Sequence, residues 1–191
     1  MGIQSINNIR ANLGLGGARP NQFQVILTPP PGLVTVGAVA LVKVPFLVQA
    51  SSIPINQVDV AKVPYFGRSI YLKGDRPAFA PWTITVINDE DFLIRDYLES
   101  WLNNLNTMIG NTLNFASSDP STYKASAILQ QISQTGIPIR EYFMDGLLIT
   151  NVSPMVLNWE DNNKVETFEA TFVMDDFQVF GPTGVAGTGG N

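Results

Sequence analysis

Three groups of side chains in this sequence have the types and spacing to do chemistry. Asp89, Glu90 and Asp91 stand in a row, a carboxylate cluster able to hold a cation, and Glu160, Asp161 and Asn162 form a second oxygen-rich run. The second run lacks the glycine and the terminal glutamate spacing of a helix–loop–helix calcium loop, so a turn accounts for it better. The first precedes a helical pattern, where acids offset the positive helix end by about 0.3–1 kcal/mol each. Glu166 and Glu169 invite comparison with a glycosidase acid pair, but three residues apart on a strand they point to opposite faces. The chain has no His and no Cys. That removes the commonest general base, the commonest metal ligand, thiolate nucleophiles and disulfides. A serine nucleophile would have no imidazole partner, and no Ser–Lys spacing supports the alternative. Trp82, Trp101 and Trp159 each lie on an apolar face and read as core rather than as a sugar platform. Catalysis is therefore the least favoured class. No cofactor, metal or catalytic residue is expected.

The third group is cationic and aromatic: Arg68, Lys73 and Arg76 interleaved with Tyr65, Phe66 and Tyr71. Such a patch suits nucleic acid, but the chain carries a net charge of −5, the reverse of a DNA footprint. A contact between subunits fits better, with these cations meeting acids of the carboxy-terminal half. The charge is uneven: residues 1–76 hold seven bases and two acids, and residues 77–191 hold four bases and fourteen acids. If the two sets sit at opposite ends, the molecule suits head-to-tail association, which makes rings or filaments. If they mingle on one surface, it does not. Charged residues make up only 14% of the chain, against about 25% usually, so a covered surface is one reading and a well-buried single domain the other.

The elements that must position these groups follow from periodicity. Trp82 to Ile87 alternates, with Trp82, Ile84 and Val86 on one face, and predicts a half-buried strand. It runs into a helix capped by Asn88 or Asp89, whose stripe is Ile94, Leu98, Trp101, Leu102 and Leu105. Upstream, Phe23 to Thr28 is a strand, Val34 to Val42 a loop or edge strand, and Val44 to Ser51 a further strand behind Pro45. Residues 45–76 form a long proline-marked excursion or hairpin, turning at Phe66-Gly67, with a tight turn at Gly74-Asp75. Long excursions usually contact partners. Downstream, Tyr123 to Ile132 and Arg140 to Thr150 are strands, Asp145-Gly146 is a bulge or bend, and Met155, Leu157 and Trp159 alternate. Asp161 to Lys164 is a hairpin turn. Phe168, Ala170, Phe172 and Met174 share one face of the final strand. Residues 1–20 form an arm with Ile3, Ile6, Ile9 and Leu13 at helical spacing, compatible with docking or with fraying. Residues 21–180 form one β domain, and the glycine-rich 181–191 a flexible tail. The longest apolar run, residues 33–48, is broken by Lys43 and Pro45 and falls short of the about 20 residues a membrane span needs. The amino terminus lacks the apolar core of a signal peptide. Neither membrane nor secretion is expected. The fold expected is mainly β, an antiparallel sandwich or open barrel with one flanking helix.

The phrases PYFGR, GDRPAFAPW and INDEDF, in this order and spacing, resemble the tail tube proteins of contractile-tailed bacteriophages. Tyr123-Lys124-Ala125, Tyr142-Phe143, Asp145-Gly146, Val152-Ser153-Pro154, Leu157-Asn158-Trp159 and Phe168 to Phe172 extend the resemblance over residues from about 20 to about 180. It is weakest at 28–45 and in the glycine-rich tail.

What the resemblance implies is structural. Subunits would close into hexameric rings whose strands line a β-barrel lumen, and rings would stack head to tail into a tube within the virion, assembled in the host cytoplasm. The tail sheath protein would surround the tube, the baseplate or tube initiator would start it, and the tape measure protein would fill it. Double-stranded DNA would pass through without specific binding. Tyr65, Arg68, Lys73 and Arg76 become the expected contacts between subunits or rings, and Asp145, Glu169 and Asp175 the expected lumen acids. A tube initiator, the tube of a contractile injection or secretion system, and a small-ligand-binding β-barrel carrier are the rival readings.

Overall fold

The computed structural model describes residues 6–13, 17–115 and 117–181. Helix α1 (Ile6–Leu13) and strand β1 (Phe23–Thr28) come first, then a 3-10 turn (Pro31–Leu33), helix α2 (Val34–Leu47) and strand β2 (Val48–Ser51). Strands β3 (Val60–Tyr65) and β4 (Arg68–Lys73) precede β5 (Trp82–Ile87) and helix α3 (Leu93–Leu105). A single turn α4 (Pro120–Tyr123) leads to β6 (Ala125–Ile132), β7 (Pro138–Val152), β8 (Thr167–Val173) and β9 (Asp176–Phe180). The sheet order is β1-β6-β7-β8-β5-β2, with β9 also on β7, and β3 pairs only with β4. Every pairing is antiparallel.

The sheet bends around one core. Strand β7 pairs with β9 over Glu141–Asp145 and with β8 over Leu148–Val152, so β8 and β9 follow each other along the same edge of β7. The step between them falls at Gly146, which adopts φ 64°. A Cβ there would lie 2.6 Å from Cγ of Asp175, so this bulge needs glycine for its conformation and for space. The expected bend at Asp145-Gly146 is thus the hinge of the sheet. Alternation delivers the core: Trp82, Ile84 and Val86 on β5, Phe168, Ala170 and Phe172 on β8, and Ala125, Ala127 and Leu129 on β6 are all buried. Trp82, Phe172 and Trp101 stack in sequence at 5.6 and 6.0 Å between centroids. The indole of Trp82 donates to the Ser52 carbonyl at 3.0 Å and that of Trp101 to the Tyr123 carbonyl at 3.0 Å. Both tryptophans are therefore apolar mass with a satisfied N–H.

Several expectations change. Val34 to Leu47 is helical, not a strand or loop, and the strand expected over Val44 to Ser51 shrinks to Val48–Ser51. Helix α2 packs on α3 where Gly37 meets the Tyr97 ring, and a Cβ at Gly37 would lie 2.6 Å from Cε2. Two helices, not one, therefore cover the sheet. Helix α3 starts at Leu93 without a side-chain cap, after Phe92 at φ 53°, so neither Asn88 nor Asp89 caps it. Asp89 and Asp91 instead receive the ammonium of Lys43, at 3.0 Å for Asp91. Those bonds, to Asp89 first, hold the lysine pKa above its ordinary value. The stripe of α3 gains Tyr97, whose buried hydroxyl has no partner among the described residues and whose pKa burial pushes up. Residues 153–166 form no strand, and Trp159 is fully exposed rather than in the core. They link β7 to β8 as a long loop, so no tight hairpin forms at Asp161. The final strand breaks in two at Met174–Asp175. Gly74 and Asp75 make no turn of their own: Gly74 N–H donates to the Asp59 carbonyl (2.8 Å) and Asp59 N–H to that of Asp75 (3.0 Å). Of the expected arm, Ile6, Ile9 and Leu13 lie on α1 and are exposed. Ile3 and the tail beyond 181 lie outside the described residues.

Candidate assembly surfaces

The central excursion is a hairpin that stands apart from the sheet. Tyr65 pairs with Arg68 across a two-residue turn, and Phe66 and Gly67 take φ 42° and 76°. Positive φ at both central residues is the turn geometry that matches strand twist. The Gly74–Asp59 bonds close its base, where Arg76 donates to the Asn56 side chain at 2.9 Å. Register sorts the side chains. Ala61, Val63 and Tyr65 share a face with Leu72, Ile70 and Arg68, while Lys62 and Pro64 share the other with Tyr71 and Ser69, beside Val60 and Lys73. One face is apolar with a guanidinium at its tip, and the other is cationic.

Every residue of β3 is exposed, and Phe66 at the turn is 90% exposed. A lone two-stranded hairpin is marginal in water. An exposed apolar face on such a hairpin is the kind of feature that marks interaction surfaces in proteins. Of the residues expected at a contact, Tyr65 and Arg68 come together at the tip. Lys73 lies on the opposite face near the base, and Arg76 lies beyond it. Sequence reasoning did not single out Ile70 and Leu72, whose side chains join the apolar face only once the register is known.

The face of the sheet away from α2 and α3 is mixed: Ile26, Ile128 and Phe143 are neighbours on it, beside a polar set. Thr83 and Thr171 meet at 3.3 Å, Thr85 stands opposite Glu169, and the Gln130 amide donates to Glu141 at 2.8 Å. Asp145 and Asp176 are register partners on this face. Asp145 and Glu169 are exposed, and Asp175, at the strand break, pairs with Lys124. Glu141 and Asp176 join this acidic set unforeseen. Two small cavities stand out: one of about 140 Å³ lies beside Phe79 and Ile55, and one of about 120 Å³ between Val39 and Tyr97. Ligand sites usually enclose about 300–1,000 Å³. Among the described residues no cluster of three carboxylates is placed to hold a metal.

A third surface lies at the far end of the sheet. The loop 153–166 presents Leu157 at 77% and Trp159 at 100% exposure. It is tied at both ends: Ser153 N–H donates to the Glu169 carbonyl (2.8 Å), and Asn88 N–H to that of Glu166 (2.9 Å).

Comparison with known proteins bears on these surfaces. The family described as phage tail tube protein matches residues 18–179. Tail tube protein gp19 of Enterobacteria phage T4 is 33% identical over 159 residues, which cover 83% of this chain and 89% of that one. Among solved structures, the tube-terminating cap of the anti-feeding prophage superposes with a TM-score of 0.61 at 11% identity, covering 95% of each chain. A chain of the sheath–tube complex of an extracellular contractile injection system superposes with a TM-score of 0.55 at 11% identity, covering 94% of this chain and 99% of that one. At that identity the likeness is one of fold.

Proposed function

The chain belongs to the phage tail tube protein family, and from that premise we propose that it builds the inner tube of a contractile phage tail as a structural protein of the virion. Copies close into rings of six, and the rings stack into a channel. Strands of neighbouring copies continue the sheet, which removes the free edges at β1 and β2 that would otherwise invite aggregation. The face carrying Glu141, Asp145, Glu169 and Asp176 turns to the lumen. A wall of carboxylates repels phosphates, so genome DNA slides through rather than binding. Asp175, held by Lys124, sits at the rim of that face.

The observation that carries the assembly is the hairpin, an apolar face left exposed by the described residues. Tyr65 and Arg68 at its tip and Lys73 on its cationic face make the contact, and Arg76 fixes its base. The sheath surrounds the tube and the baseplate starts it. The tape measure protein occupies the lumen during assembly. Neither of these two cavities has the volume of a carried ligand's site. The test is negative-stain electron microscopy of concentrated protein, with and without added baseplates. Hollow tubes are expected. Monomers alone in both conditions would refute the reading.

A further inference from the structure

We propose that the hairpin of one copy seats on the loop 153–166 of a second copy, with Trp159 as the anchor of that contact. The register of β5 supplies the geometry. The hairpin leaves and rejoins the sheet at the Ser51 and Trp82 end, where Trp82 stands opposite Phe172. The loop leaves at the other end, where Ile87 stands opposite Thr167 and Ser153 bonds Glu169. Six residues of strand, about 20 Å, separate the two. The two surfaces are therefore rooted at opposite ends of β5.

They are also complementary. Residues 60–73 hold Lys62, Arg68 and Lys73 and no acid. The loop holds Glu160 and Glu166 beside the Lys164–Asp161 ion pair, and Asp89, Glu90 and Asp91 lie at the same end after β5, two of them sharing the single ammonium of Lys43, so the end keeps an excess of acid. Both surfaces are apolar at the centre, Phe66 at 90% and Trp159 at 100% exposure. An apolar aromatic centre inside a charged rim is the anatomy of a protein contact. Two unlike patches on opposite ends of one molecule make a heterologous contact, which propagates as an open stack wherever its rotation does not close it into a ring. The contact thus sets the direction in which copies add: a cationic hairpin enters an acidic, tryptophan-bearing end. This rests on the tube reading and names the receptor that the reading leaves open.

The chain's lack of cysteine makes the test clean. Phe66→Cys and Trp159→Cys are placed in one chain, assembled, and treated with a short bismaleimide that tolerates a small error in register. A ladder of cross-linked oligomers is expected. Each single variant alone should give none, and a mixture of the two should stop at dimers. In parallel, Trp159→Ala should raise the critical concentration for tube growth by at least about tenfold, the scale of an interface aromatic. Because Trp159 is fully exposed among the described residues, its monomer should unfold as wild type does. Tubes that form without cross-links, or a Trp159→Ala protein that elongates normally, would overturn the proposal while leaving the tube reading intact. Normal elongation with lost sheath recruitment would overturn it too and give the loop to the sheath. If the unsubstituted chain makes no tubes even on a baseplate, the reading beneath fails first.

Discussion

Replacing Gly146 with alanine tests whether the sheet bends where the structure places its hinge. Two costs add. An alanine held at φ 64° in the left-handed region loses about 1–2 kcal/mol. Its methyl would also stand 2.6 Å from Cγ and 2.8 Å from Cβ of Asp175, so that side chain must swing away. Swinging away breaks the Lys124–Asp175 pair, a partly exposed ion pair worth at most about 1 kcal/mol. The sum is about 1–3 kcal/mol, or a fall in Tm of about 2–12 °C for a chain of this size. Urea denaturation of the monomer at low concentration, followed by tryptophan fluorescence, measures it. Gly146→Asn shares the clash but tolerates the left-handed region better, so it should fall between alanine and wild type. A Gly146→Ala protein within about 0.5 kcal/mol of wild type would refute the reasoning, since the β7 step would then need neither the torsion nor the space.

Two further outcomes follow from particular contacts. Tyr97→Phe removes a buried hydroxyl that has no partner among the described residues, so stability should hold or rise by up to about 1 kcal/mol. The same burial raises the Tyr97 pKa, so the folded state binds the phenol proton more tightly than the unfolded chain does. The stability this supplies is present below the unfolded pKa near 10 and is lost as pH rises beyond it. Alkaline unfolding of Tyr97→Phe should therefore begin at higher pH, which circular dichroism reads directly. Arg68→Glu with Arg76→Glu should abolish tube growth, seen by sedimentation, while the monomer melts within about 0.5 kcal/mol of wild type, because both sites lie on the surface.

What the sequence disclosed depended on whether burial imposed a period on it. Strand β5 and the face of Phe168, Ala170 and Phe172 were legible because each has one wet and one dry side. The stripe of α3 was legible for the same reason. Helix α2 was not. It is rich in valine, whose branched side chain lowers helix propensity, carries Pro45 near its end, and is apolar on its exposed side too, at Val39, Val42 and Phe46. With apolar residues on every side, no period singles out a helix. Trp159 misled in the opposite way: Met155, Leu157 and Trp159 alternate, but no strand pairs with them, so the alternation carries no burial. The hairpin was legible as an excursion and a turn, while its two faces were not. They depend on which residue stands opposite which, and a shift of one residue would have sent Tyr65 and Arg68 to the other side.

The order in which the strands pair also governs how the chain must be made. Phe23 of β1 finds Gln131 of β6, and Val86 of β5 finds Phe168 of β8. At a synthesis rate of about 5–20 residues per second, β1 leaves the ribosome about 5–20 s before its partner exists. Through that interval β1, the apolar α2 and the β3–β4 hairpin are all made, and the sheet cannot close. Pairings this distant in sequence also fold slowly once the chain is complete. The nascent subunit therefore passes through a sticky, half-made state in a cell filling with copies of itself. Slower synthesis would lengthen that state, whereas a chaperone that shields α2 until β8 emerges would shorten the exposure.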